Sequence, residues 1–165
     1  MSIVRLIEVP RASSPNYPMS MYRRLAALLG DDPVVYADHN LIDDLDTVKG
    51  RVVLLTARRV IMADADGLPS TAARVNNRTT CGLRVKTWAR STLQGIALEG
   101  AKDGPNSDDD WEYASDSWPR KASVTLTYAD EELTLPLGNS RLLRQTTVFS
   151  AFLPGLLADL ERPAS

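Results

Sequence analysis

The chain has 165 residues, 44% of them hydrophobic and 24% charged, and its 19 basic and 21 acidic side chains leave a net charge of −2. This composition excludes general disorder, and the single cysteine, Cys81, excludes an intramolecular disulfide and a multi-thiolate metal site. Charge is segregated along the chain: residues 51 to 90 carry eight basic and two acidic residues, whereas residues 91 to 140 carry three and ten.

The N-terminal MSIVRLIEVP lacks the basic start, apolar run and small-residue cleavage site of a secretory signal, so with its lone cysteine the chain is expected to be cytoplasmic. PNYPMSMYRRLAALLGDD predicts a helix, with Pro18 near its start, Ser20 as a candidate cap, and Gly30 and Pro33 at its end. Met21, Leu25, Leu28 and Leu29 recur at helical spacing and form an apolar face that needs something to cover.

From Pro33 the pattern changes to short runs of valine, isoleucine and threonine. PVVYADHNLI predicts a strand or strand pair, and DDLDTVKG an acidic turn closing on Gly50. RVVLLT predicts a strand buried on both faces or sharply bent, and RRVIMADA a strand closed by Asp66 and Gly67. GLPSTAARVNN reads as a loop. TTCGLRVKTWARSTLQGIALEG predicts two strands with a bulge or bend at Gly95. The first of them turns Leu83, Val85 and Thr87 inward and Arg84, Lys86, Trp88 and Arg90 outward.

AKDGPNSDDDWEYASDSWPR reads as a long acidic loop that Trp111, Tyr113 and Trp118 would pin in part. ASVTLTYADEELTLPLG is the clearest hairpin, with Val124, Leu126 and Tyr128 on one face and Leu133, Leu135 and Leu137 in the return strand. The tail from Asn139 to Pro163 predicts a helix with a broad apolar stripe, kinked or split at Pro154. Its apolar segment is too short, and too interrupted by Pro154, Gly155 and Asp159, to cross a bilayer.

VVLLTARRVIMADADG, STLQGIALEG, ASVTLTYADEELTLPL and the closing leucine-rich helix occur in an order that resembles bacterial pleckstrin-homology-like domains. The resemblance covers Gly30 to Leu160, with the N-terminal helix and an acidic insertion at residues 103–118 as departures. Chain length predicts a single domain over residues 1–165, in which the resemblance makes 1–30 a helical extension and 31–162 the core. The implied fold is α+β and mainly β: a strongly bent seven-stranded antiparallel sheet, or partly open barrel, capped by the C-terminal helix. Several half-apolar strands and one widely apolar helix also bury most surface in that arrangement. Arg58 and Arg59 then sit at a tight connection between strands and reach solvent or an acidic neighbour.

Signals for an enzyme are poor. His39, the only histidine, has no nucleophile motif beside it, and no glycine-rich phosphate loop is present. Consecutive aspartates at 108–110 point in different directions and read as a solvated loop, so no metal and no cofactor are expected. The best binding candidates are Arg58, Arg59 and the row Arg84, Lys86, Trp88 and Arg90, which could contact phosphates, stack a base, or sit at an anionic membrane surface. The competing reading is a plain solvent face, with basic strands beside acidic ones. Family members that bind phosphoinositides use basic residues between their first two strands, where this chain has the acidic LIDDLDTVKG, which argues against inositol-lipid binding.

The sequence therefore points to a non-enzymatic protein-interaction module whose partner is unknown, either another protein or a second copy. Leu25, Leu28 and Leu29 or a strand edge would make the contact. Rival readings are a nucleic-acid or lipid-headgroup binder using Arg84 to Arg90, a small-ligand carrier using a barrel interior, and a hydrolase centred on His39.

Overall fold

The computed structural model describes residues 19–44, 47–69, 82–99, 123–137 and 143–161, with side chains at all but 19, 43, 44 and 143–151 of these. The acidic insertion, Cys81, Asp46 and the expected loop beyond Pro69 lie outside them. Two helices and eight strands are found among the described residues, making the chain mainly β. The strands form two sheets, neither of which closes on itself. The chain divides into two compact units, residues 1–87 and 88–165.

The first unit holds α1 (Met19–Leu29), β1 (Val34–His39), β2 (Ile42–Asp44), β3 (Thr47–Thr56), β4 (Arg59–Pro69) and most of β5 (Gly82–Ala89). The sheet order is β1-β3-β4-β5, with β2 also on β3, and β1, β2 and β4 are each antiparallel to β3. Register partners Val52 and Ala63, and Leu54 and Ile61, turn one face of β3 and β4 toward α1. Met21, Tyr22, Leu25 and Leu29 of the helix complete that core. The opposite face, Val53, Leu55, Val60 and Met62, is just as fully buried, which accounts for the unbroken apolar run in β3.

This packing corrects the expectation that Leu25, Leu28 and Leu29 meet a partner. Leu25 is completely buried and Leu29 nearly so, both against the chain's own sheet, and Leu28 is half-buried against the same core. Removing a leucine so buried costs about 2 to 5 kcal/mol, so this face stabilises the fold rather than awaiting a ligand. Gly30, at φ +57°, ends the helix as expected, its N–H reaching Ala26 O at 3.0 Å.

Two glycines act differently from the expectation. Gly67, at φ +65°, lies inside β4 rather than closing it, and the register shift between Val48 and Gly50 sets two residues, Asp66 and Gly67, opposite the single Lys49. Gly50 lies inside β3 at φ +126°, where a Cβ would come within 2.6 Å of Asn40 O. That close approach lets Asn40 N–H reach Arg51 O at 3.0 Å and Arg51 N–H reach Asn40 Oδ1 at 2.6 Å.

The second unit holds a short 3-10 turn (Arg90–Thr92), β6 (Gly95–Glu99), β7 (Ser123–Tyr128), β8 (Glu131–Leu135) and α2 (Leu143–Leu160). The expected hairpin forms, with Val124 opposite Leu135 and Leu126 opposite Leu133, all four buried. β6 extends it to the order β6-β7-β8. α2 continues through Pro154 as one helix instead of splitting there. Among the described residues no helix is long and apolar enough to cross a membrane.

Candidate functional site

Ala57 and Arg58 turn the chain between β3 and β4, and the Thr56 hydroxyl accepts from Arg58 N–H at 3.1 Å and Arg59 N–H at 2.9 Å. From this turn the two arginines reach the acidic neighbour Asp32: Arg58 Nη2 donates to Asp32 Oδ1, and Arg59 Nε lies 3.3 Å from Oδ2. Arg59 Nη1 also donates to Leu28 O at 2.9 Å. Cations at a helix C-terminus complement its dipole and its unpaired carbonyls, so the pair clamps the end of α1. The hydrogen bond from Arg58 holds the Asp32 carboxyl below its ordinary range against the opposing effect of burial, and the charges of Arg58 and Arg59 add to it.

The residues of the row from Arg84 to Arg90 differ in exposure. Arg84 is exposed and Lys86 half-buried, while Leu83 and Val85 pack on the core as expected. Thr87 breaks the alternation by being exposed. In the second unit, Trp88 stacks on Tyr128 at 5.7 Å between centroids, and its indole N–H donates to Asp130 Oδ1 at 2.8 Å. Arg90, expected to face outward, is buried. Its Nε donates to Asp159 Oδ2 at 2.8 Å, Nη2 lies 2.6 Å from the same oxygen, and the guanidinium sits 4.5 Å from the Phe152 ring centroid.

The reason is that β5 ends at Ala89 and the 3-10 turn redirects the next side chain, so a period of two no longer applies. Gly155 provides the space, since a Cβ there would stand 3.2 Å from Arg90 Nη2. Asp159, Gly155 and Asp32 were absent from the sequence-derived candidates. A carboxylate in the apolar stripe of LPGLLADL was a usable signal for Asp159, because a buried charge there needs a cation.

His39 lies at the end of β1, half-buried, beside Asp38. Its Nδ1 accepts from Leu41 N–H at 3.4 Å, and Asp38 Oδ1 accepts from His39 N–H at 2.7 Å. The buried Tyr36 hydroxyl donates to Asp38 Oδ2 at 3.0 Å. Burial, reinforced by the Asp38 charge and this hydrogen bond, pushes the Tyr36 phenol far above its ordinary range. A phenol held so firmly in its neutral form is a poor general base near neutral pH. Tyr128 is also pushed far up, chiefly by burial, and its hydroxyl has no hydrogen-bond partner among the described residues. Those residues contain no group of three or more histidine, cysteine, aspartate or glutamate side chains placed to hold a metal ion.

Among the exposed residues is an apolar one on the sheet of the second unit, Leu98. In the sheet of the second unit, direct register partners share a face, so Leu98 lies beside Val124 and Leu135, and Ile96 beside Leu126 and Leu133. Exposure along the first row runs 0% at Leu135, 0% at Val124 and 47% at Leu98. The apolar face of this sheet thus reaches solvent at its β6 margin. Comparison of the chain with family models, with curated proteins and with solved structures returns no match.

Proposed function

We propose that the protein is a non-enzymatic interaction module of pleckstrin-homology-like type that binds protein through the β6 margin. The observation that carries this reading is the exposure of Leu98 at the end of an otherwise buried apolar row. Supporting it, Arg58, Arg59, Trp88 and Arg90, which an anionic-surface binder would use, have partners within their own units. The order of strands, hairpin and closing helix supports the pleckstrin-homology-like reading.

The test is retrieval of tagged protein from its native cell at low and moderate salt, with Leu98→Lys alongside. A stoichiometric protein that survives moderate salt and is lost with Leu98→Lys supports the reading. Retrieval of nucleic acid or anionic lipid alone, lost as salt rises, overturns it in favour of Arg84 and Lys86.

A further inference from the structure

The outer strands of the two sheets are β1, β2, β5, β6 and β8, and all but β6 carry devices that discourage edge pairing, β2 through its three-residue length and its Asp43 and Asp44. β1 follows Pro33 and has a register irregularity between Val34 and Tyr36. β5 carries Arg84 and Lys86, and β8 carries Glu131 and Glu132 and runs into Pro136. β6 reads Gly-Ile-Ala-Leu-Glu, with no proline, no lysine and an unbroken register against β7. Its outer backbone N–H and C=O groups have no strand partner among the described residues.

We propose that β6 pairs antiparallel with β6 of a second copy of this chain, about a twofold axis through Ala97, joining two three-stranded sheets into one of six. The inference rests on the interaction reading of the same margin. The strand is self-complementary in that register: Ile96 stands opposite Leu98 of the partner subunit, and Glu99 opposite Gly95 of the partner subunit. Half-buried Ile96 and exposed Leu98 each gain an apolar cross-strand neighbour, and no carboxylate faces another. Ala97 meets its own copy on the polar face, where its small side chain opposes no closer approach.

Twofold registers centred on Ile96 or Leu98 pair only three of the five β6 residues, whereas centring on Ala97 pairs all five. An interface of this length falls short of the roughly 1,200 Å² typical of stable complexes, so association depends on protein concentration. An extended backbone edge with apolar residues at alternate positions also suits a strand better than a helix as occupant.

The test uses Ala97→Cys in a Cys81→Ser background. Directly opposite residues in an antiparallel pair have Cα atoms about 4.5 to 5.5 Å apart, within the span of a disulfide. Mild oxidation should give a covalent dimer with Ala97→Cys and none with Thr134→Cys, which lies on the exposed polar face of β8. Ala97→Lys sets two ammonium groups opposite each other, so sedimentation should show the concentration-dependent dimer of the unmodified chain lost. At concentrations too low for the dimer the thermal midpoint should stay unchanged, because Ala97 is exposed. Cross-linking no better than the Thr134→Cys control, or a dimer that persists in Ala97→Lys, overturns the proposal. A chain that stays monomeric yet retrieves another protein through Leu98 overturns self-pairing while leaving the interaction reading intact.

Discussion

Replacing Asp159 by alanine should destabilise the second unit far more than the loss of one surface ion pair. The side chains of Arg90 and Asp159 are 9% and 6% exposed, and both Arg90 nitrogens converge on one carboxylate oxygen at 2.8 and 2.6 Å. Removing one partner from such a pair leaves an uncompensated buried charge and costs about 3 to 5 kcal/mol, whereas exposed pairs contribute about 0.2 to 1 kcal/mol. The Phe152 ring remains over the guanidinium and retains about 0.5 to 2 kcal/mol, which places Asp159→Ala toward the lower end of the range.

Arg90→Met should cost at least as much. It strands the Asp159 carboxylate in the last turn of α2, where the helix dipole is already unfavourable to negative charge. The double variant Arg90→Met with Asp159→Leu should recover most of the loss, because two apolar side chains replace the pair without orphaning a charge. For a urea m value of about 2 kcal/mol/M, Asp159→Ala moves the midpoint of unfolding, followed by circular dichroism, by about 1.5 M. A cost under about 1 kcal/mol for both single variants, or a double variant no better than their sum, would refute the reasoning.

Asp32 sets a pH dependence in the first unit. Its folded pKa lies below the ordinary value of 3.8, so its stabilisation is fully present above that value and is lost as pH falls through the folded pKa. The thermal midpoint should therefore drop in acid for the unmodified chain and less steeply for Asp32→Asn, and parallel profiles would contradict the clamp on α1. Gly50→Ala should cost about 1 to 3 kcal/mol from backbone strain alone, with a further loss as its Cβ displaces Asn40 from Arg51. Gly30→Ala, at φ +57° with nothing within 4 Å of its Cβ, should cost less. Equal shifts in urea midpoint for the two would show that close approach to Asn40 does not matter.

The local pattern already determined much of this protein. Unbroken apolar runs marked β3 and β4, alternation marked the β7–β8 hairpin, helical spacing selected Met21, Leu25 and Leu29, and Gly30 marked the end of α1. The tight turn at Thr56 to Arg59 was expected too, with its arginines left to either solvent or an acidic neighbour. Each of these depends on residues a few positions apart, where φ/ψ preference and side-chain period act directly.

Tertiary structure decided what those residues do. The cover for the α1 leucines is a sheet formed later in the chain, so an apolar face that sequence could assign to a partner became core. Arg58 finds Asp32 across 26 residues and Arg90 finds Asp159 across 69, and no period or spacing encodes such a pairing. Periodicity reports which way a side chain leaves its own strand or helix. Whether solvent, a counter-charge or another strand waits there is set by how distant segments pack, and that is why the exposure of Leu98 and the burial of Arg90 emerge only in the folded chain.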